Sequence, residues 1–410
     1  MLNKKSSFKK CLFAGFCMSI FSLSAIAQVT KPSSGATAPL PRLIIPVIPK
    51  SPEVLPDNKV IFRLYAPKAT SVSVTGEWMK GAGAYENMIK GDTGLWVLTT
   101  GPLKPEYYGY KFVINGVTVL DPNNLQIRRD WLGNESVLLV PGKESDLYIV
   151  KNVPGGTLSK VWYDSPVIGL RRRMNIYTPP GYEKGTEKYP VLYLLHGGMN
   201  EEDTWTSMGR ACQIMDNLIA QGKVKPMIVI MPNGNPDQVA VSFDSYSYSL
   251  TPAQVAASKI ASDPPLNMVN GLFETSLIKD VIPFVEANYR VLANKENRAI
   301  IGYSMGGGQT FRITLDNPGV FGYIGVFGPA IFTQPPETEK KMEILKSADP
   351  NLYWVGCGVD DQLCYASTTK ILLPLLKKYN INHFFNESSG GHNWSNWRIY
   401  LSECVPMFFK

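Results

Sequence analysis

The chain reads as an α/β protein in two parts: an all-β sandwich of Ig-like size, then a larger domain built on a mostly parallel sheet. Three observations predict this. Residues 58 to about 145 alternate apolar and polar with a period of two, as half-buried strands do. After Pro154-Gly155-Gly156 the pattern changes to short, nearly continuous apolar runs separated by helical stretches, which suits strands covered on both faces. The chain has 410 residues, 44% hydrophobic and 18% charged, which is globular composition and enough for at least one large core.

Residues 1–27 have the order of an export signal. Lys4, Lys5, Lys9 and Lys10 make a basic start, Cys11 to Ile26 is mostly apolar, and Ala25-Ile26-Ala27 supplies small residues for cleavage after Ala27. The apolar run contains serines and falls short of the roughly 20 residues that span a bilayer, so a retained anchor is disfavoured and no stable membrane span is expected after cleavage. A secreted or periplasmic location follows. Removing those four lysines, with no acid among the removed residues, takes the formal charge from +7 to +3. The basic residues form no long stripe, Arg171 to Arg173 being the densest group, so no nucleic-acid partner is expected. Residues 28–57 hold seven prolines, Pro32 to Pro56, without sustained period, and read as a Pro-rich linker.

The sandwich is assigned to residues 58–150. In "KVIFRLYAP", Val60, Phe62 and Leu64 share one face; Val72 and Val74 repeat the period; and Asn115-Gly116 between two apolar runs predicts a tight hairpin. Trp78, Trp96, Tyr108 and Tyr110 are either sugar-stacking aromatics or core, and aromatics at strand spacing are more often core. The second domain is assigned to residues 157–410. "YPVLYLLHGG", "MIVIMPNG", "RAIIGYSMGG", "YIGVFGPA" and "NLYWVGCGVDD" are its buried strand candidates. In 271–289, Leu272, Leu277, Ile278, Val281, Ile282 and Val285 fall at helical intervals.

The chemistry centres on "IGYSMGGGQT". A Gly-x-Ser-x-Gly run is weak alone, but here a strand candidate, Arg298 to Tyr303, precedes it and a helix opens at Met305, the context of a nucleophile elbow. Gly302 and Gly306 allow the tight backbone approach such a turn needs. A serine hydroxyl requires a base, and the base a carboxylate to hold its tautomer. The chain has three histidines. His196 ends an early strand, His383 sits in an apolar strand and reads as structural, and His392 in "SSGGHNWSNW" has the late position of a base. For the carboxylate, Asp360 and Asp361 both fit by chemistry. The order Ser304, Asp361, His392 is that of the α/β-hydrolase fold. Backbone donors for an oxyanion are expected from Met305 and from Gly198 in the "HGGM" turn.

With these residues assigned, a family resemblance is plain. "YPVLYLLHGG", "EEDTW", "DVIPFVEANYRV", "IGYSMGGGQT", "CGVDD" and "GGHNWSNW", six motifs in order over about residues 157 to 405, resemble the esterase D-like family. More narrowly they are similar to the feruloyl and acetyl xylan esterases of carbohydrate esterase family 1. The resemblance implies Ser304 as nucleophile, His392 as base, Asp361 rather than Asp360 as the acid, and Gly198 with Met305 at the oxyanion hole. "FRLYAPKATSVSVTGEW", "YGYKFVINGV" and "DPNN" resemble the Ig-like carbohydrate-binding module (module 48) that precedes starch-acting enzymes and some polysaccharide esterases. The two-part order also resembles enterobactin-type siderophore esterases, which export argues against, since those hydrolases usually work in the cytoplasm.

The expected function is therefore a secreted serine esterase that hydrolyses hydroxycinnamoyl, chiefly feruloyl, esters on arabinoxylan or its oligosaccharides through an acyl-enzyme. Its partners would be plant cell-wall polysaccharide or oligosaccharide esters, and an acetyl xylan esterase, a siderophore esterase and an inactive polysaccharide-binding protein are the alternatives. Trp205, Trp394 and Trp397 lie beside motif residues and are the candidates to flank a phenolic ring, although tryptophans so placed are more often core than ligand contacts, and the 235–270 loop is a candidate cleft wall. No metal or cofactor is expected: there is no C-x-x-C spacing and no Walker-type loop. Of the cysteines outside the signal, Cys212, Cys357, Cys364 and Cys404, a Cys357–Cys364 bridge and free buried thiols fit equally well. The sequence does not set the oligomeric state.

Overall fold

A computed structural model describes residues 49–410 apart from 82, 131–132, 237, 239, 241–268 and 332–336. The expected signal, most of the linker and most of the 235–270 loop lie outside the described residues.

Ten short strands build the sandwich: β1 Glu53–Val54, β2 Val60–Tyr65, β3 Val72–Gly76, β4 Glu86–Asn87, β5 Ile89–Lys90, β6 Leu95–Thr100, β7 Glu106–Ile114, β8 Val117–Val119, β9 Ile127–Asp130 and β10 Gly133–Val140. One sheet has the order β1-β2-β6-β5; the other runs β4-β3-β7-β10-β9, with β8 paired to β7. The alternation in the sequence maps onto the core directly, since Val60, Phe62, Leu64, Val72 and Val74 all point inward. Asn115 and Gly116 both take positive φ, 49° and 85°, and close the β7–β8 hairpin with Ile114 opposite Val117.

One expectation needs correction here. The sandwich begins before residue 58, because β1 pairs antiparallel with β2 and the buried Ser51 hydroxyl donates to Asp121 Oδ2 at 2.7 Å. A two-residue strand among prolines has no room to display a period. Of the two readings of the sandwich aromatics, the commoner one holds and they are core: Trp96, Tyr108 and Tyr110 are buried, and the partly buried Trp78 stacks on Phe62 at 5.7 Å.

The second sheet has eight strands: β11 Thr157–Ser165, β12 Leu170–Thr178, β13 Val191–Leu195, β14 Ile228–Pro232, β15 Arg298–Ser304, β16 Tyr323–Pro329, β17 Leu352–Gly358 and β18 His383–Ser388. Their order is β11-β12-β14-β13-β15-β16-β17-β18, antiparallel at the β11 and β12 end and parallel from β14 onward. This is an α/β-hydrolase sheet. Helices cover both faces, which is why β13, β14 and β16 are buried along their whole length. On one face lie a helix over 272–288, with a π-helical stretch at Leu277–Val281, and the helices Met305–Asp316 and Thr338–Ser347. On the other lie Ala211–Ala220 and Trp394–Cys404.

The sandwich does not stand apart from this second face. Tyr107 of β7, Val137 of β10 and Tyr148 belong to the same apolar cluster as Trp205, Ile214, Trp394 and Leu401. Among the described residues no helix is long and apolar enough to cross a membrane.

Candidate active site

The parallel strands end at one edge of the sheet, where open α/β sheets place their sites. At the end of β15 the chain turns sharply through Ser304, at φ 54° and ψ −118°, and enters the helix Met305–Asp316. That φ is strained for a residue with a β-carbon. The turn demands glycine on both sides: a β-carbon on Gly302 would collide with the Gly306 carbonyl, and one on Gly306 with the His196 carbonyl. The first N–H groups of the helix, Met305's among them, have no intrahelical acceptor, and the positive end of the helix dipole lies beside the Ser304 hydroxyl.

His392 and Asp361 reach this turn from the loops after β18 and β17. His392 Nε2 is 2.9 Å from Ser304 Oγ, and Nδ1 is 2.7 Å from Asp361 Oδ2. The other carboxylate oxygen accepts the backbone N–H groups of Leu363 and Cys364, at 3.0 and 2.8 Å. Burial pushes the Asp361 carboxyl up, but the His392 hydrogen bond and charge and these two amides outweigh it and hold it below the ordinary carboxylate value. An ionised Asp361 fixes the tautomer: Nδ1 carries the proton and donates to Asp361, and Nε2 is left to accept from the serine hydroxyl. Asp360, the neighbour that fits equally well by chemistry, is exposed, and its N–H donates to Gly390 O.

The glycine turn after β13 lies on the strand next to the serine. Leu195 pairs with Gly302, so Gly198 and Ser304 follow the ends of adjacent parallel strands. His196 holds this turn from below. The Gly234 N–H donates to His196 Nε2 at 2.7 Å, which leaves Nδ1 protonated and donating to Gly197 O at 2.7 Å. Burial lowers the His196 pKa to about 4, so the ring is neutral near pH 7. His383 is, as expected, a structural residue, its Nδ1 bonded to Ile381 O.

The three tryptophans do not line a cleft, which corrects the expectation placed on them. Trp205, Trp394 and Trp397 are 1%, 7% and 6% exposed and surround Tyr303 at ring distances of 5.4, 4.9 and 4.0 Å. Trp205 Nε1–H donates to Leu195 O, and the Trp397 and His392 rings meet at right angles with their centres 5.0 Å apart. Large apolar rings next to catalytic motifs are drawn into the core that supports them. Exposed apolar side chains do occur beside the site, on Met199, Val359 and Leu363.

Two supporting residues escaped the sequence reading. Gly328, at the end of β16, has φ +45°, and a β-carbon there would lie 2.8 Å from Asp361 Oδ2. Its only sequence signal is the Gly-Pro pair closing a strand. Asn200 Oδ1 accepts from the Tyr303 hydroxyl at 2.5 Å while its backbone carbonyl accepts from Asn235 Nδ2, joining the glycine turn to β15. Nothing local marks it.

All four described cysteines are free, so no Cys357–Cys364 bridge forms. Burial pushes the Cys357 thiol up to about 12 and the Cys364 thiol higher still. Among the described residues one group has metal-ligand spacing, Asp361, Cys364 and His392, and its carboxylate and imidazole are already bonded to each other and to Ser304.

Comparison with known proteins carries the same order of parts. Residues 165–408, more than half the chain, match the family described as "Putative esterase". The chain belongs to the esterase family. Residues 50–125 of this esterase-family chain match carbohydrate-binding module 48, the isoamylase N-terminal domain. It is 34% identical over 370 residues to an endo-1,4-beta-xylanase/feruloyl esterase of Xylanibacter ruminicola, a match covering 88% of this chain and 46% of that one. A match to endo-1,4-beta-xylanase Y of Acetivibrio thermocellus is 26% identical and covers 64% of this chain and 24% of the other. The esterase thus spans about half the length of the first relative and a quarter of the second. Among solved structures, a ferulic acid esterase from Anaeromyces mucronatus is 25% identical with a TM-score of 0.53, covering 65% of this chain and 96% of that one. An enterobactin esterase from Shigella flexneri, 17% identical with a TM-score of 0.60 and covering 85% and 92%, shares the fold.

Proposed function

We propose that this chain is an exported serine esterase that releases hydroxycinnamate, chiefly ferulate, from arabinoxylan or its oligosaccharides. The observation that carries the chemistry is the hydrogen-bonded line from Ser304 through His392 to Asp361 at a strained strand-to-helix turn. Relatives named for feruloyl esterase activity support the acyl group, and a module-48 domain ahead of the esterase domain suits a polysaccharide substrate.

In this reading Ser304 Oγ attacks the ester carbonyl carbon as its proton passes to His392 Nε2. The imidazolium is stabilised by Asp361. The carbonyl oxygen becomes an oxyanion and accepts from the N–H groups of Met305 and Gly198. Collapse breaks the bond to the sugar oxygen, which takes the proton from His392 and leaves as an alcohol. Water then loses a proton to His392, attacks the feruloyl-serine, and the second collapse returns free acid and Ser304. No step needs a metal.

Hydrolysis of methyl ferulate by the full chain, abolished in Ser304→Ala with an unchanged melting temperature, is the expected result; full activity in that variant rejects the mechanism. Rates on acetylated xylan, methyl ferulate and a catecholate-serine ester, measured side by side, separate the feruloyl reading from the acetyl xylan and siderophore alternatives. Failure of Ser304 to react with a fluorophosphonate, together with affinity for xylan, would instead favour a binding protein.

A further inference from the structure

The sandwich sends one carboxylate into the hydrolase domain, and it lands on the helix that carries the base. Glu106 opens β7. Its Oε1 accepts from Arg398 Nη2 at 2.7 Å and from the Tyr148 hydroxyl at 2.5 Å, and the Tyr107 N–H donates to the same oxygen. The Ser395 side chain also helps to lower the pKa of this carboxyl. Arg398 is 1% exposed, and its Nη1 donates to Met208 O at 2.6 Å, while its guanidinium lies over the rings of Tyr107 and Tyr148. Burial alone would raise the Glu106 carboxyl, but Arg398, Ser395, Tyr148 and the Tyr107 amide hold it below its ordinary value, so it stays charged.

Ser395 and Arg398 sit in the first turns of the helix Trp394–Cys404. His392 lies two residues before that helix. Asn393 caps it, its side chain accepting the Asn396 N–H, and Trp397, next to Arg398, packs against the His392 ring. The imidazole is therefore set by where this helix end sits, and a carboxylate from the other domain grips that end. We propose that Glu106 is a positioning residue for His392: through Ser395 and Arg398 it fixes the start of the helix and so the imidazole's approach to Ser304. The sandwich then serves the reaction as a brace on the base. A displacement of well under 1 Å at the imidazole weakens proton transfer in both half-reactions while leaving the ester-binding surface in place.

The inference rests on the esterase reading, and the test separates the two. In the full chain, Glu106→Gln keeps the shape of the side chain and removes its charge. The expected result is a kcat on methyl ferulate lowered about 10-fold with KM within about 2-fold, and a matching fall in the rate of Ser304 labelling by a fluorophosphonate. Ser395→Ala, a smaller change, should lower kcat about 3-fold with the same split. Asn217→Ala removes bonds to the Leu147 and Ile149 carbonyls at the same domain junction, breaks none of the bonds above that join Glu106, Ser395 or Arg398, and should leave kcat unchanged. If Glu106→Gln fails to fold, Ser395→Ala decides. Unchanged kcat in the folded variants, a loss confined to KM, or an equal loss in Asn217→Ala overturns the inference alone; a wild-type chain that neither hydrolyses esters nor labels removes the esterase reading with it.

Discussion

Gly328 presses against Asp361: a β-carbon at the glycine would stand 2.8 Å from the carboxylate oxygen that holds His392 and 3.5 Å from His392 Nδ1. The end of β16 is thus part of the wall that keeps the carboxylate on the imidazole. Gly328→Ala should strain a backbone at φ +45° by about 1–2 kcal/mol and push Asp361 off its partner. We expect kcat to fall by about 100-fold, the scale of small misplacements at a reacting centre, with the melting temperature only modestly lowered. An unchanged kcat would show that the carboxylate tolerates the shift.

The two adjacent carboxylates should separate cleanly. Asp361→Asn removes the charge that stabilises the imidazolium and leaves His392 free to take the wrong tautomer, so kcat should drop by about 10³ to 10⁴. Asp360→Asn alters an exposed side chain and should change kcat less than about 2-fold. Parallel kcat measurements on the two variants check this.

His196 should make the protein sensitive to mild acid. The unfolded residue takes up a proton near 6.5, whereas the folded one resists until about 4. Between those values the unfolded chain binds more protons, so stability falls as pH falls, by about 3 kcal/mol over the whole window. Urea melts at pH 7, 6, 5 and 4 should show this decline, and the slope should flatten in His196→Gln even if that variant is less stable throughout.

The buried tryptophans should report on stability more than on substrate. Trp205→Ala empties a site that is 1% exposed and should cost about 3–5 kcal/mol by denaturant unfolding. A variant of wild-type stability with a raised KM for ferulate esters would restore the ring-flanking role the sequence suggested.

The strands and the site differ in how far they could be read from the chain. Short apolar runs ending in glycine located β13 to β17 because strands buried on both faces need nothing but local composition. Asn115-Gly116 announced its hairpin because few other pairs tolerate two positive φ angles. Strand β1 was hidden, its two residues being too few for a period. Ser304 and His392 stood out through their neighbours, but Asn200 and Gly328 carry no pattern, and their roles come from contacts with Tyr303 and Asp361.

By itself the sequence determined the turn at Ser304 and marked His392 among the three histidines, because each signal depends on residues within a few positions of one another. The chemistry of the residues left Asp360 and Asp361 open and the family resemblance pointed to Asp361, but only the tertiary structure put its carboxylate on His392, packed the tryptophans around Tyr303 and brought Glu106 to Arg398, 292 residues away. Such contacts follow from which side chains packing can cover and which charges it must pair, and burial is a property of the whole folded chain.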